Sequence, residues 1–429
     1  MSWPSRRTAG GRRVRPSVPP PFDRSRHTAP ERSPIRPRTV LVGCSFAGLE
    51  LLYRLARRRG RFRAGELTVV DPRVGHEYIP LLHEAASGAR SADALTFDAR
   101  AFCSAVGADF IAARAVSRLP GERLLVLDGG ERLPYDRLIV AAGSVPSVPR
   151  WAAVSPLVVS PKRLPEALRL RDRIHSLAAD GSRRVELVVV GAGVTGVEWA
   201  GELAAASFGS VRASVTIVGS DPALLPGFAR GPAAQAARVL DGLGVRCMLG
   251  RSVTAIDGER VLLDDGSALR AHAVVWAGGV RPAPLLAALH LPLTASGHLT
   301  VTPRLTVPGA DGVYGIGDAV RIVENGVEWP TMERAIECIW QGALLARRLA
   351  RRWEAREGPS HRLRRDFFYG VSLGPRHSMI VRGRWWVDAP ILAWFRRWLQ
   401  WAYYARFRAL AAVRSRGSPA ESVRVTGPR

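Results

Sequence analysis

Two glycine-rich turns, each between a β-rich run and a helical one, constrain this chain more than anything else in it. The first is Gly43-Cys44-Ser45-Phe46-Ala47-Gly48, after the run Thr39 to Val42. The second is Gly191-Ala192-Gly193-Val194-Thr195-Gly196, after the run Leu187 to Val190. The spacing answers a physical demand. The first glycine permits a tight strand-to-helix turn, the second lets backbone approach a pyrophosphate, and the third lets the helix pack close on the strand. The phosphates then sit at a helix N-terminus, where free N–H groups and the macrodipole favour anions. One such turn is a weak signal. Two in one chain predict two dinucleotides bound side by side, an arrangement that moves electrons from a pyridine nucleotide to a flavin.

A length of 429 residues allows two or three domains, and 47% hydrophobic content supports packed cores. The four cysteines, Cys44, Cys103, Cys247 and Cys338, show no paired spacing. That argues against a disulfide framework, a zinc site or a redox-active C-x-x-C pair, and favours a reduced, cytosolic setting. The formal charge is +25, and Lys162 is the only lysine among 62 basic residues. Such a bias is expected of a GC-rich genome, yet its field still draws the protein to anionic surfaces. No helix-turn-helix, zinc-finger or RNP pattern supports nucleic acid as the partner. The basic N-terminus lacks the apolar run of a signal peptide, and no long uncharged apolar stretch predicts a spanning helix.

Residues 1–37 are rich in Arg, Pro and Ser and are expected to be a disordered basic tail, either inert or an anchor. A β-α-β pattern follows from Val40, with a helix over 46–58 and a second strand at Glu66 to Asp71. Residues 145–165 are Pro-rich and read as a crossover. A second β-α-β unit runs from Val185 to Val218, with further strands near 245–248, 260–263 and 273–276. Val313 to Asp318 reads as a strand end feeding a helix. The expected division is 38–150 and 296–350 for one dinucleotide domain, 151–295 for the other, and 351–429 for a C-terminal region.

In the first turn, Ser45 replaces the middle glycine; it is small, and its hydroxyl can donate to a phosphate. Phe46 and Ala47 open the helix. Asp71 lies 23 residues beyond Gly48, close to the interval at which an acid holds ribose hydroxyls. Ala141-Ala142-Gly143 and Gly317-Asp318 resemble the A-T-G and G-D segments of the two-dinucleotide-binding-domain flavoproteins, with Ala142 in the threonine position. The resemblance implies an α/β fold of two Rossmann-like domains, glutathione-reductase-like. The NAD domain is inserted in a split FAD domain, and Asp318 lies at the FAD ribityl and pyrophosphate region.

The second turn is a complete G-x-G-x-x-G and is expected to bind NADH. Gly219 stands where an acid would repel the extra phosphate of NADPH, so NADPH remains open, with Asp221 a further candidate for the ribose. Glu198 and Glu202 share a helix face. Glu198 is either part of a solvated face, a complement to the helix dipole, or a proton-handling carboxylate beside the flavin–nicotinamide junction. Gly278 and Gly279, after the strand ending at Trp276, would let backbone pass close to a nicotinamide.

The segment His76 to Gly88 carries no cysteine, so a dithiol relay is not expected. Its Tyr78-Ile-Pro80-Leu81-Leu82 and Ala85-Ala86-Ser87-Gly88 resemble the type II NADH dehydrogenases, the single-subunit NADH:quinone oxidoreductases. So do Gly193 to Glu198, with Ala200-Gly-Glu-Leu203 after it, and Trp276 to Pro282. The resemblance runs from about residue 38 to 345, and more loosely to 410. It implies an FAD-dependent NAD(P)H dehydrogenase that transfers two electrons to a quinone-like acceptor without pumping protons. One departure stands out. The family's Ala-Gln…Gln-Gln-Gly quinone motif reads here, within Met332 to Gly342, as Ala335, Ile336, Trp340, Gln341 and Gly342. Ile336 and Trp340 replace glutamines, so a more apolar, aromatic pocket is expected.

Residues 391–410 set Ile391, Leu392, Trp394, Phe395, Trp398, Leu399 and Trp401 on one helical face. Arg396, Arg397, Gln400 and Arg408 fall on the other, and Arg406 breaks the pattern. Such a helix either lies in a membrane interface or packs on the protein's own core or at a homodimer contact. The resemblance favours a peripheral location on the inner face of the cell membrane. Two rival functions remain: a soluble FAD and NAD(P)H oxidoreductase serving a dedicated small molecule or carrier protein, and a non-catalytic basic nucleotide-sensing or nucleic-acid-binding module.

Overall fold

The structure is a computed structural model. It describes residues 37–416 except Arg183, Ser210, 330–332, 352–357 and 365–366. The expected tail and Met332 therefore lie outside the described residues, apart from Pro37.

Short runs, mostly rich in Val, Ile and Leu, form the strands of two parallel sheets, buried at the centre of each sheet and more exposed at Asp109–Ile111 and Arg246–Leu249. In chain order they are β1 (Thr39–Val42), β2 (Leu67–Val70), β3 (Asp109–Ile111) and β4 (Arg137–Val140). Next come β5 (Val158–Val159), β6 (Arg184–Val190), β7 (Arg212–Gly219), β8 (Arg246–Leu249), β9 (Ala273–Trp276) and β10 (Val313–Gly315). Three antiparallel strands follow: β11 (Tyr369–Ser372), β12 (Ser378–Arg382) and β13 (Trp385–Asp388). The helices that position the site are α1 (Phe46–Arg59), α2 (Leu82–Ala86), α3 (Val194–Ala205), α4 (Ala335–Ala350) and α5 (Pro390–Arg416).

One parallel sheet has the order β10-β4-β1-β2-β3, and a second the order β5-β9-β6-β7-β8. The first sheet takes its edge strand β10 from residues 313–315, so the second lies within its sequence. In each, the strand bearing a glycine turn is central, which places the turn at the carboxyl edge of the sheet. That edge is where open α/β sheets bind ligands.

The Pro-rich stretch 145–165 does more than cross over. It contributes β5 to the edge of the second sheet, and Ser144–Pro146 pairs antiparallel with Val280–Pro282 as a two-stranded ribbon. The sheet of β11 to β13 had no counterpart in the sequence expectation for residues 360–390. It packs on α3 at Gly201, where a Cβ would lie 2.7 Å from the carbonyl carbon of Leu373. Among the described residues no helix is long and apolar enough to cross a membrane.

Candidate active site

Both glycine turns obey the same mechanics. Gly43 has φ +98°, and a Cβ there would lie 2.3 Å from the Ala141 carbonyl oxygen. Gly191 has φ +114°, with the Ala277 oxygen at 2.5 Å. Gly48 and Gly196 let their helices close on the turns, since a Cβ would meet the carbonyl oxygens of Gly43 and Gly191 at 2.1 and 1.9 Å. Ser45 and Gly193 occupy the helix N-caps, and neither helix has a side-chain cap or an acidic residue in its first turn. Those uncapped N–H groups are what an anion needs.

A single cavity of about 2190 Å³ joins the two units. Gly43, Ser45, Phe46, Ala47, Asp71, Gly143, Gly317 and Asp318 line it from the first unit; Val194, Thr195, Glu198, Trp276 and Gly279 line it from the second. Gly48, Gly191, Gly193 and Gly196 are not in its wall; they shape the backbone behind it. The wall fits a large polar ligand. Buried polar atoms of residues lining it, His83 Nε2, Ser378 Oγ and Tyr403 Oη among them, have no hydrogen-bond partner among the described residues.

Asp71 is buried at the end of β2. Its Oδ2 accepts from Cys44 N at 2.9 Å and its Oδ1 from Arg73 N at 2.9 Å. The carboxylate thus braces the first turn; Oδ1 also accepts from Arg73 Nε at 3.4 Å, and Oδ2 keeps a lone pair for a ligand hydroxyl. The second unit has no equivalent. Gly219 ends β7 with its missing Cβ only 2.6 Å from Ala192 Cβ, and Asp221 is exposed.

Glu198 stands beyond the first turn of α3, so complementing the helix dipole is not its role. Nor is it on a solvated face, since its side chain is 14% exposed. Ser372 N donates to Oε1 at 3.1 Å, and Arg396 Nη1 lies 3.7 Å away. Burial pushes its carboxyl up, Arg396 and the Ser372 amide oppose this, and the result is about 7. Glu202 is buried one turn on, accepts from Ser87 Oγ at 2.9 Å, and is also raised by burial. His83 is held well down by burial and by Arg396 and Arg397, so its imidazole is neutral.

Asp318 accepts from Ser144 Oγ at 2.8 Å and from Cys338 Sγ at 3.3 Å, and Lys162 Nζ lies 3.3 Å away. Burial alone would raise Asp318; Lys162, with the two hydrogen bonds, reverses that and holds it below the usual range. The retained half of the quinone motif has a structural duty. Gln341 Oε1 accepts from Gly317 N at 2.7 Å, and Gly342 lets α4 meet α1, where a Cβ would lie 2.4 Å from Ala47 O. Ile336 lines the cavity as expected, but Trp340 does not. It packs edge-on against Phe367 at 4.8 Å, and Phe367 itself lines the cavity.

The C-terminal helix corrects the assignment of its polar face. Arg396, Arg397 and Gln400 point inward. Glu84, buried on α2, receives Arg397 Nε at 3.1 Å and Arg396 Nη2 at 3.4 Å. Gln400 is 3% exposed and donates to Ala94 O. Arg408 alone of the four is exposed. Arg406, which broke the pattern, pairs with Glu50 Oε2 at 2.5 Å, a carboxylate with no exposed side chain. The outward face carries Ile391, Trp394, Trp398 and Trp401, each more than 40% exposed. Phe395 and Leu399 are exposed too, and both also line the cavity, so the cavity opens beside this aromatic face. Further along, Tyr403, Tyr404 and Phe407 are buried against Phe46, Phe97 and Phe102.

The pattern reading missed Lys162, His83, Arg396 and Tyr403. Only Lys162 carried a signal, its singularity among arginines.

Comparison with known proteins agrees with this geometry. The family model described as pyridine nucleotide-disulphide oxidoreductase matches residues 37–342. The chain is similar to the type II NADH:quinone oxidoreductase Ndh of Mycobacterium tuberculosis, 29% identical over 67% of this chain and 68% of that protein. It is also similar to the type II NADH:quinone oxidoreductase of Staphylococcus saprophyticus, 24% identical over 72% of this chain and 80% of that one. Among solved structures, NDH2 from Plasmodium falciparum in complex with NADH superposes with a TM-score of 0.74 at 15% identity, covering 88% of this chain and 97% of that one. The chain belongs to the pyridine nucleotide-disulphide oxidoreductase family, and the type II NADH:quinone oxidoreductases are its relatives within it.

Proposed function

We propose that this chain is an FAD-dependent NADH dehydrogenase that delivers two electrons to a quinone without pumping protons. The supporting observation is the cavity itself, which the first turn lines through Gly43, Ser45, Phe46 and Ala47 and the second through Val194 and Thr195, with an apolar outer wall in the same space. In this reading Gly43, Ser45 and the free N–H groups of α1 hold the FAD pyrophosphate, with Asp71 and Asp318 on its sugar and ribityl groups. Gly143 and Gly317 let backbone approach it. Gly191, Gly193 and Gly196 form the turn for NADH, and Gly279 leaves room for its nicotinamide. Residues 38–150 and 296–350 form the FAD domain, with 151–295 as the inserted NADH domain.

Bound FAD supplies the capacity to take a hydride and return its electron pair to a second molecule. The net reaction, NADH + H⁺ + quinone → NAD⁺ + quinol, needs one proton beyond the hydride. Glu198 holds it: a carboxyl poised at about 7 is part protonated at working pH, which general acid catalysis requires. Arg396 and the Ser372 amide orient Oε1, and neutral His83 adds a second polar group in the same wall.

The quinone enters past Phe395 and Leu399, between Phe367 and Ile336. The exposed tryptophans suit a lipid headgroup boundary, and the net charge of +25 suits anionic lipid, so we place the protein peripherally on the inner face of the cell membrane. In a homodimer, the other occupant of that face would be a second copy. A test of the enzyme reading is anaerobic titration of the purified protein. NADH must bleach the yellow flavin band and menadione must restore it; a colourless or unbleached protein rejects the reading. Cosedimentation with anionic vesicles, lost when Trp394, Trp398 and Trp401 become serine, tests the location.

A further inference from the structure

Lys162 is the only lysine in a chain with 62 basic residues. Where lysine and arginine are interchangeable, the pressure that produced the others would have made this one arginine too. Its position explains the exception. It stands between β5 and the helix Leu164–Ala179 of the inserted unit and lines the cavity. Its Nζ donates to Ser144 Oγ, in the ribbon joining the units, and pairs with Asp318 Oδ2, which returns from the far end of the first unit. Three segments distant in sequence thus meet on one ammonium. The side chains of Lys162 and Asp318 are only 17% and 16% exposed, so the pair is largely desolvated. A compact point charge fits between a hydroxyl and a carboxylate where a planar guanidinium, with its five-donor fork, does not.

We propose that Lys162 is a positioning residue of the FAD site, holding Asp318 in place and supplying a fixed positive charge beside it. The proposal rests on the FAD reading above. Removing the ammonium leaves a buried carboxylate with hydrogen bonds but no cation. It also removes the positive charge that favours a more negative, reduced ligand nearby.

Because no other side-chain amine exists, acylation followed by peptide mass analysis reports on this site alone, apart from the N-terminal amine. In deflavinated protein Lys162 should acylate, and added FAD should slow it at least tenfold. Lys162→Met should bind FAD at least tenfold more weakly. Its bound flavin should have a lower midpoint potential, by about 30 mV if the oxidised-to-reduced ratio shifts tenfold. Lys162→Arg should recover the potential but not the affinity, because charge returns without fit. Thermal melts identify variants that fail to fold, and Ser144→Ala, which keeps the ammonium, should retain the potential. FAD affinity and potential unchanged in Lys162→Met, or acylation indifferent to FAD, overturn the proposal. A wild-type protein that binds no FAD rejects the flavin reading itself.

Discussion

The two glycine turns are mechanically the same device set to different tasks. In both, the first glycine donates to the end of the neighbouring strand, Gly43 N to Val70 O at 2.9 Å and Gly191 N to Val218 O at 2.7 Å. In both, a left-handed glycine avoids a carbonyl on the next strand. They part at the strand end beyond. The first unit has Asp71, which grips its own turn through Cys44 N. The second has Gly219, packed on Ala192 and offering no charge. The glycine pattern thus sets how a pyrophosphate is approached; the strand end sets how firmly the rest of the nucleotide is held. A braced, acid-bearing site suits a resident cofactor. An open one suits a substrate that must leave after each turnover.

The largest effect expected from breaking this contrast comes from the first glycines. Gly43→Ala and Gly191→Ala each force a Cβ against a carbonyl in left-handed backbone, at a cost of about 2 kcal/mol or more. Gly43→Ala should purify without flavin. Gly191→Ala should stay yellow but show KM for NADH raised about a hundredfold or more, near 2.7 kcal/mol. Flavin loss in the second variant and not the first would reverse the assignment of the two sites.

Next in size is Glu198→Gln, with about a hundredfold loss of quinone turnover, since positioned proton transfer contributes on that order. The pH dependence has a definite sign. With its carboxyl raised to about 7, the folded state binds the proton more tightly than the unfolded state. The stability cost is absent below the unfolded value, grows as pH rises, and is complete above about 7, reaching roughly 3 kcal/mol. Glu198→Gln should therefore melt higher than wild type at pH 8 while being less active. A melting-temperature difference between variant and wild type that is the same at pH 5 and pH 8 would contradict this.

A smaller change is expected from Arg396→Gln. Loss of the cation moves the Glu198 inflection in the pH–rate profile upward, and Arg396→Lys restores it. An unmoved profile would show that the 3.7 Å approach has no electrostatic consequence. The smallest effect concerns selectivity. Gly219→Asp, paired with Ala192→Gly to clear the 2.6 Å contact, should lower kcat/KM for NADPH relative to NADH by about tenfold, or 1.4 kcal/mol. Steady-state kinetics with both nucleotides decide it.

Much of this was legible in the sequence because glycine turns and buried β runs act locally. Gly43 and Gly191 announce their backbone need by residue type, and Val-rich runs announce burial. The orientation of α5 was not legible. Periodicity separates two faces but cannot say which one meets the protein, and here Glu84, 312 residues from Arg396, decides it. The sheet of β11 to β13 is mixed in composition and has no strong alternation. Lys162 was visible as an anomaly, but its partners Ser144 and Asp318 are joined only by the fold. Trp340 shows the converse, since a residue placed in the pocket by motif alignment turns instead onto Phe367.

The inward arginines of α5 also bear on the order of assembly. Glu84 belongs to the first quarter of the chain, yet takes its cations from Arg396 and Arg397, synthesised near the end. Arg406 reaches back to Glu50 too, although there Arg54 of α1 already supplies one cation at 2.7 Å. A nascent chain that folds its first sheet early must keep Glu84 hydrated until α5 leaves the ribosome, because an unpaired buried carboxylate costs several kcal/mol. Closure of the cavity wall formed by His83, Phe395 and Arg396 therefore waits for the last part of the chain to be made.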